Sequence, residues 1–180
     1  VVIGNGPSLR GFDLHRLQGF STLGMNAAYR HWDRIGWYPD FYCCLDDQLI
    51  RSHHAEIERL YRDGMVRKLF LHRSFFDEHP HRIGNPDFVI FDQTSRHWYP
   101  RNAKKLGLPP LFDQPAFRIS DTSKITTGSH AVRFVANEGF RSILLMGIDL
   151  RYVEILPEAE TTEGVGLKMT ATPKQNPNYF

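Results

Sequence analysis

The chain opens with VVIGNGPSL at residues 1–9, where three β-branched residues run directly into a turn with two glycines. The β-branched run predicts a buried strand, and the glycines with Pro7 predict a tight turn. Gly4 and Gly6 would let backbone N–H groups approach a phosphate, and Asn5 adds an amide that both donates and accepts. The spacing fits neither Gly-x-Gly-x-x-Gly nor the lysine-bearing P-loop, which disfavours ordinary dinucleotide and Walker-type sites. A plain tight turn and a ligand-binding loop explain this stretch equally well.

Short apolar runs alternate with helical patterns on the C-terminal side of this strand. Further strands are predicted at residues 21–25, 41–45, 66–71, 89–91 and 142–146, and helices at 27–35, 49–64 and 130–137. This alternation predicts an α/β domain with a mostly parallel sheet and helices on both faces. An irregular insertion, rich in Pro, His, Arg and aromatic residues, is expected at about 72–121. Residues 157–180 have the polar composition of a loop or tail.

Polar residues follow four of the predicted strands: Asn5, Asn26, Asp46 and Asp149. Parallel sheets bind ligands at the carboxyl ends of their strands, so these residues are candidates for one site. Asp149, which ends a Gly147-Ile148-Asp149 sequence, could bond a ribose hydroxyl, orient a neighbouring loop or cap a turn. Asp46 could equally mark the start of a helix, where the helix dipole favours a carboxylate.

A second motif, Thr126-Thr127-Gly128-Ser129, lies just before a predicted helix. Ser and Thr are good N-caps, and a helix start rich in hydroxyl groups can bind an anion. Capping alone explains the motif equally well. Together with the first loop, which also contains Ser8, it favours phosphate binding because both would face the same edge of the sheet.

The composition excludes several classes of protein. The chain has 180 residues, 41% of them hydrophobic and 23% charged, as expected for a globular domain. A net charge of +2 is small for a polyanion binder, so no nucleic-acid partner is predicted. The only cysteines are the adjacent pair Cys43-Cys44, which suggests buried strand residues and not a disulfide framework. No apolar run approaches the roughly 20 residues that cross a membrane.

No metal site is predicted. The sequence contains nine histidines, and His53-His54 on a helix and His79-Pro80-His81 in a loop are expected to point in different directions. Asp46-Asp47-Gln48 lacks the Asp-x-Asp spacing that holds a metal in many nucleotide-sugar transferases.

Three segments in the same order resemble the bacterial lipooligosaccharide sialyltransferases. Residues 1–9 resemble the opening strand and loop of that family, residues 124–129 its Arg-Ile-Thr-Ser-Gly segment, and residues 140–149 its late strand ending in Gly-Ile-Asp. Related patterns occur in motility-accessory flagellin glycosyltransferases and in archaeal hydroxymethylpterin pyrophosphokinases. Residues 50–120 match only loosely.

The resemblance implies a Rossmann-like nucleotide-binding domain over residues 1–156. It also implies metal-independent transfer of a sugar from a CMP-sugar donor to a glycan acceptor hydroxyl, without a further cofactor, in bacterial polysaccharide biosynthesis. Seven residues fall on nucleotide contacts of the family: Asn5, Asn26, Thr126, Thr127, Gly128, Gly147 and Asp149. The loop and strand-end positions add five more to the predicted nucleotide site: Gly4, Gly6, Ser8, Asp46 and Ser129.

The chain departs from the family at the catalytic residues. The family has a tyrosine just after Gly-Ile-Asp that supports the departing phosphate, whereas here Arg151 holds that place and Tyr152 follows. Arg151 could neutralise the leaving phosphate, so both residues are catalytic candidates. The general-base histidine of the family lies in a later segment, and no histidine follows His130. Either the base lies beyond residue 180 in a longer chain, or the protein is not a sialyltransferase.

Two other functions therefore stay open. One is ATP- and Mg²⁺-dependent diphosphate transfer to a pterin, which requires carboxylates such as Asp46, Asp47 and Asp149 to converge. The other is a non-catalytic nucleotide-binding domain of a larger protein. The expected location is the cytoplasm, including the periphery of the inner membrane, and a homo-oligomer is compatible with the sequence.

Overall fold

The computed structural model describes residues 1–91 and 126–149, and the backbone of residues 159–161 and 167–169. Its main sheet contains β1 (Val2–Ile3), β2 (Leu23–Met25), β3 (Phe41–Cys44), β4 (Lys68–His72), β5 (Phe88–Phe91) and β6 (Leu145–Met146). The strands lie in the order β5-β4-β3-β2-β1-β6, and every pair is parallel. The helices are α1 (Tyr29–Ile35), α2 (Asp47–Arg62), α3 (Phe75–Glu78) and α4 (Thr127–Asn137). The predicted α/β, Rossmann-like fold class is confirmed.

The sheet separates two hydrophobic clusters because neighbouring strand residues point to opposite faces. Tyr42 and Cys44 belong to one cluster, together with the buried face of α2. Cys43 belongs to the other, together with α4 residues such as Phe134. Helices therefore cover both faces, as predicted, and both cysteines are free thiols buried in β3.

The order in which successive strands are added to the sheet reverses at β1. Strands β2 to β5 extend from one side of β1, and β6 lies against its other side. In open parallel sheets, such a switch point opens a crevice at the carboxyl ends of the strands. The loops after β1, β2 and β6 are therefore the elements where the candidate site is expected.

Several segments differ from the expectations. The predicted helix at 27–35 begins with a 3-10 turn, Asn26–Ala28, and α4 begins at Thr127 because Thr126 caps it. The predicted strand at 142–146 has only two paired residues in β6. Helix α3 lies within the insertion expected to be irregular, whereas β5 confirms the strand predicted at 89–91. Residues 92–121 of that insertion lie outside the described residues.

The segment expected to be a polar tail contains two paired strands, so the expectation of loop throughout was wrong. Strand β7 (Ala159–Thr161) pairs antiparallel with β8 (Leu167–Met169). Each strand has three residues, which is too short for a periodic pattern to be visible in the sequence. Among the described residues, no helix is long and apolar enough to cross a membrane.

Candidate functional site

Backbone hydrogen bonds join the loop after β1 to the loop after β6. The N–H of Gly4 donates to the carbonyl of Met146, and the N–H of Gly6 donates to the carbonyl of Gly147, both at 2.8 Å. A Cβ atom at Gly4 would lie 2.3 Å from the Gly147 oxygen, so only glycine permits this approach. The close contact of the two loops thus explains Gly4, and its predicted role toward a phosphate stays a prediction.

Asp149 holds the first loop in place. Its carboxylate accepts a hydrogen bond from the Ser8 backbone N–H at 2.9 Å and another from the Ser8 hydroxyl. Gly147, two residues earlier, has a φ of +63°, which favours glycine at this bend. Of the roles considered for Asp149, orientation of a neighbouring loop is the one that the structure contains.

Two buried amide oxygens at this edge accept no hydrogen bond from the residues that the structure describes. The Nδ2 of Asn5 donates to the carbonyl of Met25 at 3.3 Å, which ties the β1 loop to the end of β2. The Oδ1 atoms of Asn5 and Asn26 are both buried and accept no hydrogen bond within the described part of the chain. An unsatisfied buried acceptor costs about 1–3 kcal/mol, so a ligand that offers N–H or O–H donors would be favoured here.

The start of α4 lies beside the same strand end. The Thr126 hydroxyl accepts from the Ser129 N–H at 3.3 Å, and the Thr126 N–H donates to the Ser129 hydroxyl at 3.1 Å. This capping box leaves the N–H groups of Thr127 and Gly128 without an acceptor inside the helix. A Cβ atom at Gly128 would lie 3.9 Å from the Met25 sulfur, which places the helix start next to the end of β2.

Asp46 and Asp47 have partners within the fold. Asp46 is the N-cap of α2, and its carboxylate accepts a hydrogen bond from the Leu49 N–H at 3.0 Å. Of the two roles considered for Asp46, the structure therefore contains the start of a helix. Asp47 pairs with Arg51 at 3.1 Å. A hydrogen bond from Ser74 and, after it, the Arg51 cation lower the pKa of Asp47. Asp46 lies after β3, two strands away from β1.

The expectation that the two histidine segments point in different directions was wrong. The Nδ1 of His54 on α2 lies 3.1 Å from the Nε2 of His79. The two rings meet because α3 turns the chain after β4 back onto α2, and the sequence pattern did not indicate α3. The two histidines are 25 residues apart in sequence, so no local spacing could reveal the contact.

The catalytic candidates Arg151 and Tyr152 lie outside the described residues. No protein-family model matches the chain, and neither a curated protein nor a solved structure matches it. The resemblance drawn from residues 1–9, 124–129 and 140–149 is therefore carried by those residues alone.

Proposed function

We propose that the protein is a sialyltransferase-like glycosyltransferase that uses a CMP-sugar donor. The proposal rests chiefly on the buried Oδ1 atoms of Asn5 and Asn26, which lie at the ends of adjacent parallel strands and accept no hydrogen bond from any residue that the structure describes. Beside them, the Met25 sulfur lies 3.9 Å from where a Cβ atom of Gly128, in the first turn of α4, would stand. Hydrogen-bond acceptors and a helix N-terminus thus occupy neighbouring parts of a sheet edge suited to nucleotides.

The chemistry of a CMP-sugar fits both features. Its ribose hydroxyls and the exocyclic amine of cytosine are hydrogen-bond donors. The side-chain oxygens of Asn5 and Asn26 would accept hydrogen bonds from them. Its single phosphate would lie at the N–H groups of Thr127 and Gly128, where the helix dipole favours negative charge. Neutral amides and backbone N–H groups suffice for one phosphate, which agrees with a net charge of only +2.

In the proposed reaction, the acceptor hydroxyl attacks the anomeric carbon of the donor sugar. The bond from that carbon to the phosphate oxygen breaks, CMP leaves with the electron pair, and the proton of the acceptor hydroxyl passes to solvent water. Donors at the start of α4 would stabilise the charge on the departing phosphate. We propose that Arg151 and Tyr152 also stabilise the charge on the departing phosphate. The proposed location of the protein is the cytoplasm, including the periphery of the inner membrane.

Magnesium-dependent diphosphate transfer has less support from the described residues. It needs several carboxylates around one metal ion. Instead, Asp149 binds Ser8 and Asp46 caps α2, at strand ends that are not adjacent.

The proposal is tested by thermal unfolding of the chain with CMP, UMP, GMP, or ATP with Mg²⁺. A ligand at 100 times its Kd stabilises the folded state by about 2.7 kcal/mol, so we expect a clear rise in Tm with CMP. The Asn5→Ala variant should lose this rise. Asn85→Ala should keep it, because both groups of the Asn85 amide have partners elsewhere, at Tyr61 and Asp87. The proposal would be overturned if CMP did not raise the Tm, or if ATP with Mg²⁺ were the one ligand that raised it.

A further inference from the structure

A cluster of imidazole and carboxylate groups joins α2 to the chain after α3. His54 and Glu58 lie one turn apart on α2, and His79 and His81 lie just after α3. One ligand atom from each of Glu58, His79 and His81 lies within 4.8 Å of the other two. His54 adds a fourth group, because its Nδ1 is 3.1 Å from the Nε2 of His79.

Glu58 is the most buried member of this cluster, with 9% of its surface exposed. The Nε of Arg82 donates to its two oxygens at 3.1 and 3.3 Å and so fixes the carboxylate. The Arg82 guanidinium is itself held over the ring of Tyr61, 5.0 Å from the ring centroid. The Nη2 of Arg82 also donates to Oε1, the oxygen that lies 3.9 Å from the Nε2 of His81. A carboxylate accepts at about four lone-pair sites, so these bonds from Arg82 leave acceptor capacity on Oε2.

We propose that Glu58, His79 and His81, with His54 as the fourth ligand, bind a divalent transition-metal ion of the zinc type. Three imidazoles and one carboxylate form a ligand set that suits Zn²⁺, and imidazole selects such ions over Mg²⁺ and Ca²⁺. Arg82 takes the place of the outer hydrogen-bond donor that ligating carboxylates usually have.

Two of the distances between the proposed ligand atoms lie near those of a tetrahedral site before the ion enters. Zinc-to-nitrogen bonds of about 2.0–2.1 Å place tetrahedral ligand atoms about 3.3–3.4 Å apart. The 3.1 Å between His54 and His79 is already close to that value. The 3.9 Å between His81 and Glu58 must shorten by about half an ångström, and the exposed His81 side chain can move.

The ion would tie α2 to the chain after α3, on elements other than the loops of the nucleotide site, so this proposal does not depend on the proposed function.

The test uses the untagged chain, freed of metal with EDTA and then titrated with Zn²⁺ by calorimetry and with Co²⁺ by visible absorption. We expect one Zn²⁺ per chain, a rise in Tm, and the strong absorption of tetrahedral Co²⁺. His81→Gln and His54→Gln should each weaken the binding of Zn²⁺ by about tenfold or more. His15→Gln is the matched control, because His15 is an exposed histidine whose ring bonds Asp13 on a distant turn.

His81 is exposed, so its replacement should leave the Tm in EDTA unchanged and keep the comparison with His15→Gln valid. The proposal is overturned if Zn²⁺ does not bind at one per chain. It is also overturned if the Co²⁺ complex lacks the tetrahedral spectrum, or if the His81 and His54 variants bind Zn²⁺ as tightly as the His15 variant.

Discussion

Asn5 differs from the other polar residues of its loop in how its side chain is used. Its Nδ2 donates to Met25, whereas its Oδ1 has no donor among the described residues. Ser8 and Asp149, by contrast, bind each other. Most polar groups of the loop after β1 therefore hold the loop in place, whereas the Oδ1 of Asn5 is available to accept a hydrogen bond from a ligand.

Two glycines of the predicted site should respond differently to alanine. Gly4→Ala places a Cβ 2.3 Å from a backbone oxygen and should lower the free energy of unfolding by about 1–3 kcal/mol. Gly128→Ala meets nothing closer than 3.8 Å and should leave that free energy unchanged or raise it by up to about 1 kcal/mol. Urea unfolding of both variants tests this, and equal destabilisation by the two would contradict the loop geometry.

The two cysteines should be inert in the folded protein. Burial raises the pKa of Cys44 to about 12 and raises the pKa of Cys43 well above its ordinary value. Because the thiolate is the reactive form, a thiol reagent at pH 8 should label neither residue in the folded state. In denaturant, the same reagent should label both thiols of the chain. Rapid labelling without denaturant would show that β3 is less buried than described.

Among the elements, α4 depends most visibly on its first turn. Thr126 and Ser129 satisfy each other's backbone N–H groups, and the helix then carries Phe134 onto the second face of the sheet. The motif that predicted an anion site is therefore also the motif that starts the helix. A hydroxyl at position 126 serves the fold, whereas the N–H groups of Thr127 and Gly128 are those proposed to meet a phosphate.

Replacing the cap should separate these two roles. Thr126→Ala removes the acceptor for the Ser129 N–H and should lower the free energy of unfolding by about 1 kcal/mol. Thr126→Ser retains a hydroxyl and should stay near the original stability. Thermal unfolding followed by circular dichroism measures both, and equal stability of the two variants would argue against the cap.

The whole molecule depends on helices that cover both faces of one sheet. Phe134 on α4 stacks on Phe70 of β4 with ring centroids 4.6 Å apart, and only 2% of its surface is exposed. Phe134→Ala should therefore cost about 3–5 kcal/mol of stability. Phe20, which is 62% exposed, is the control, and Phe20→Ala should change stability by no more than about 0.5 kcal/mol. Chemical denaturation distinguishes the two, and a small effect at Phe134 would contradict the second hydrophobic cluster.

Sequence patterns predicted the parallel sheet and its covered faces because β-branched and aromatic runs such as residues 41–44 must be buried. They also placed Asn5, Asn26 and Asp149 at strand ends. They did not predict α3, a single turn whose four residues are too few for a helical period. Without α3, the approach of His79 to His54 could not be foreseen, because it depends on packing between distant segments.

Equally, no local pattern could show that Asp149 binds Ser8, 141 residues away. The sequence left a ribose, a neighbouring loop or a turn as possible partners of Asp149. The pairing of β6 with β1 brings the neighbouring loop within reach, and the ribose contact stays a prediction. The positions of candidate residues thus follow from the sequence, whereas their partners follow from the strand order.

A crystal structure of the chain with CMP would show whether the nucleotide binds at the carboxyl ends of β1 and β2. The nucleoside should donate hydrogen bonds to the Oδ1 atoms of Asn5 and Asn26, and the phosphate should accept from the N–H groups of Thr127 and Gly128. CMP bound at another part of the molecule, or no bound CMP at saturating concentration, would contradict the account.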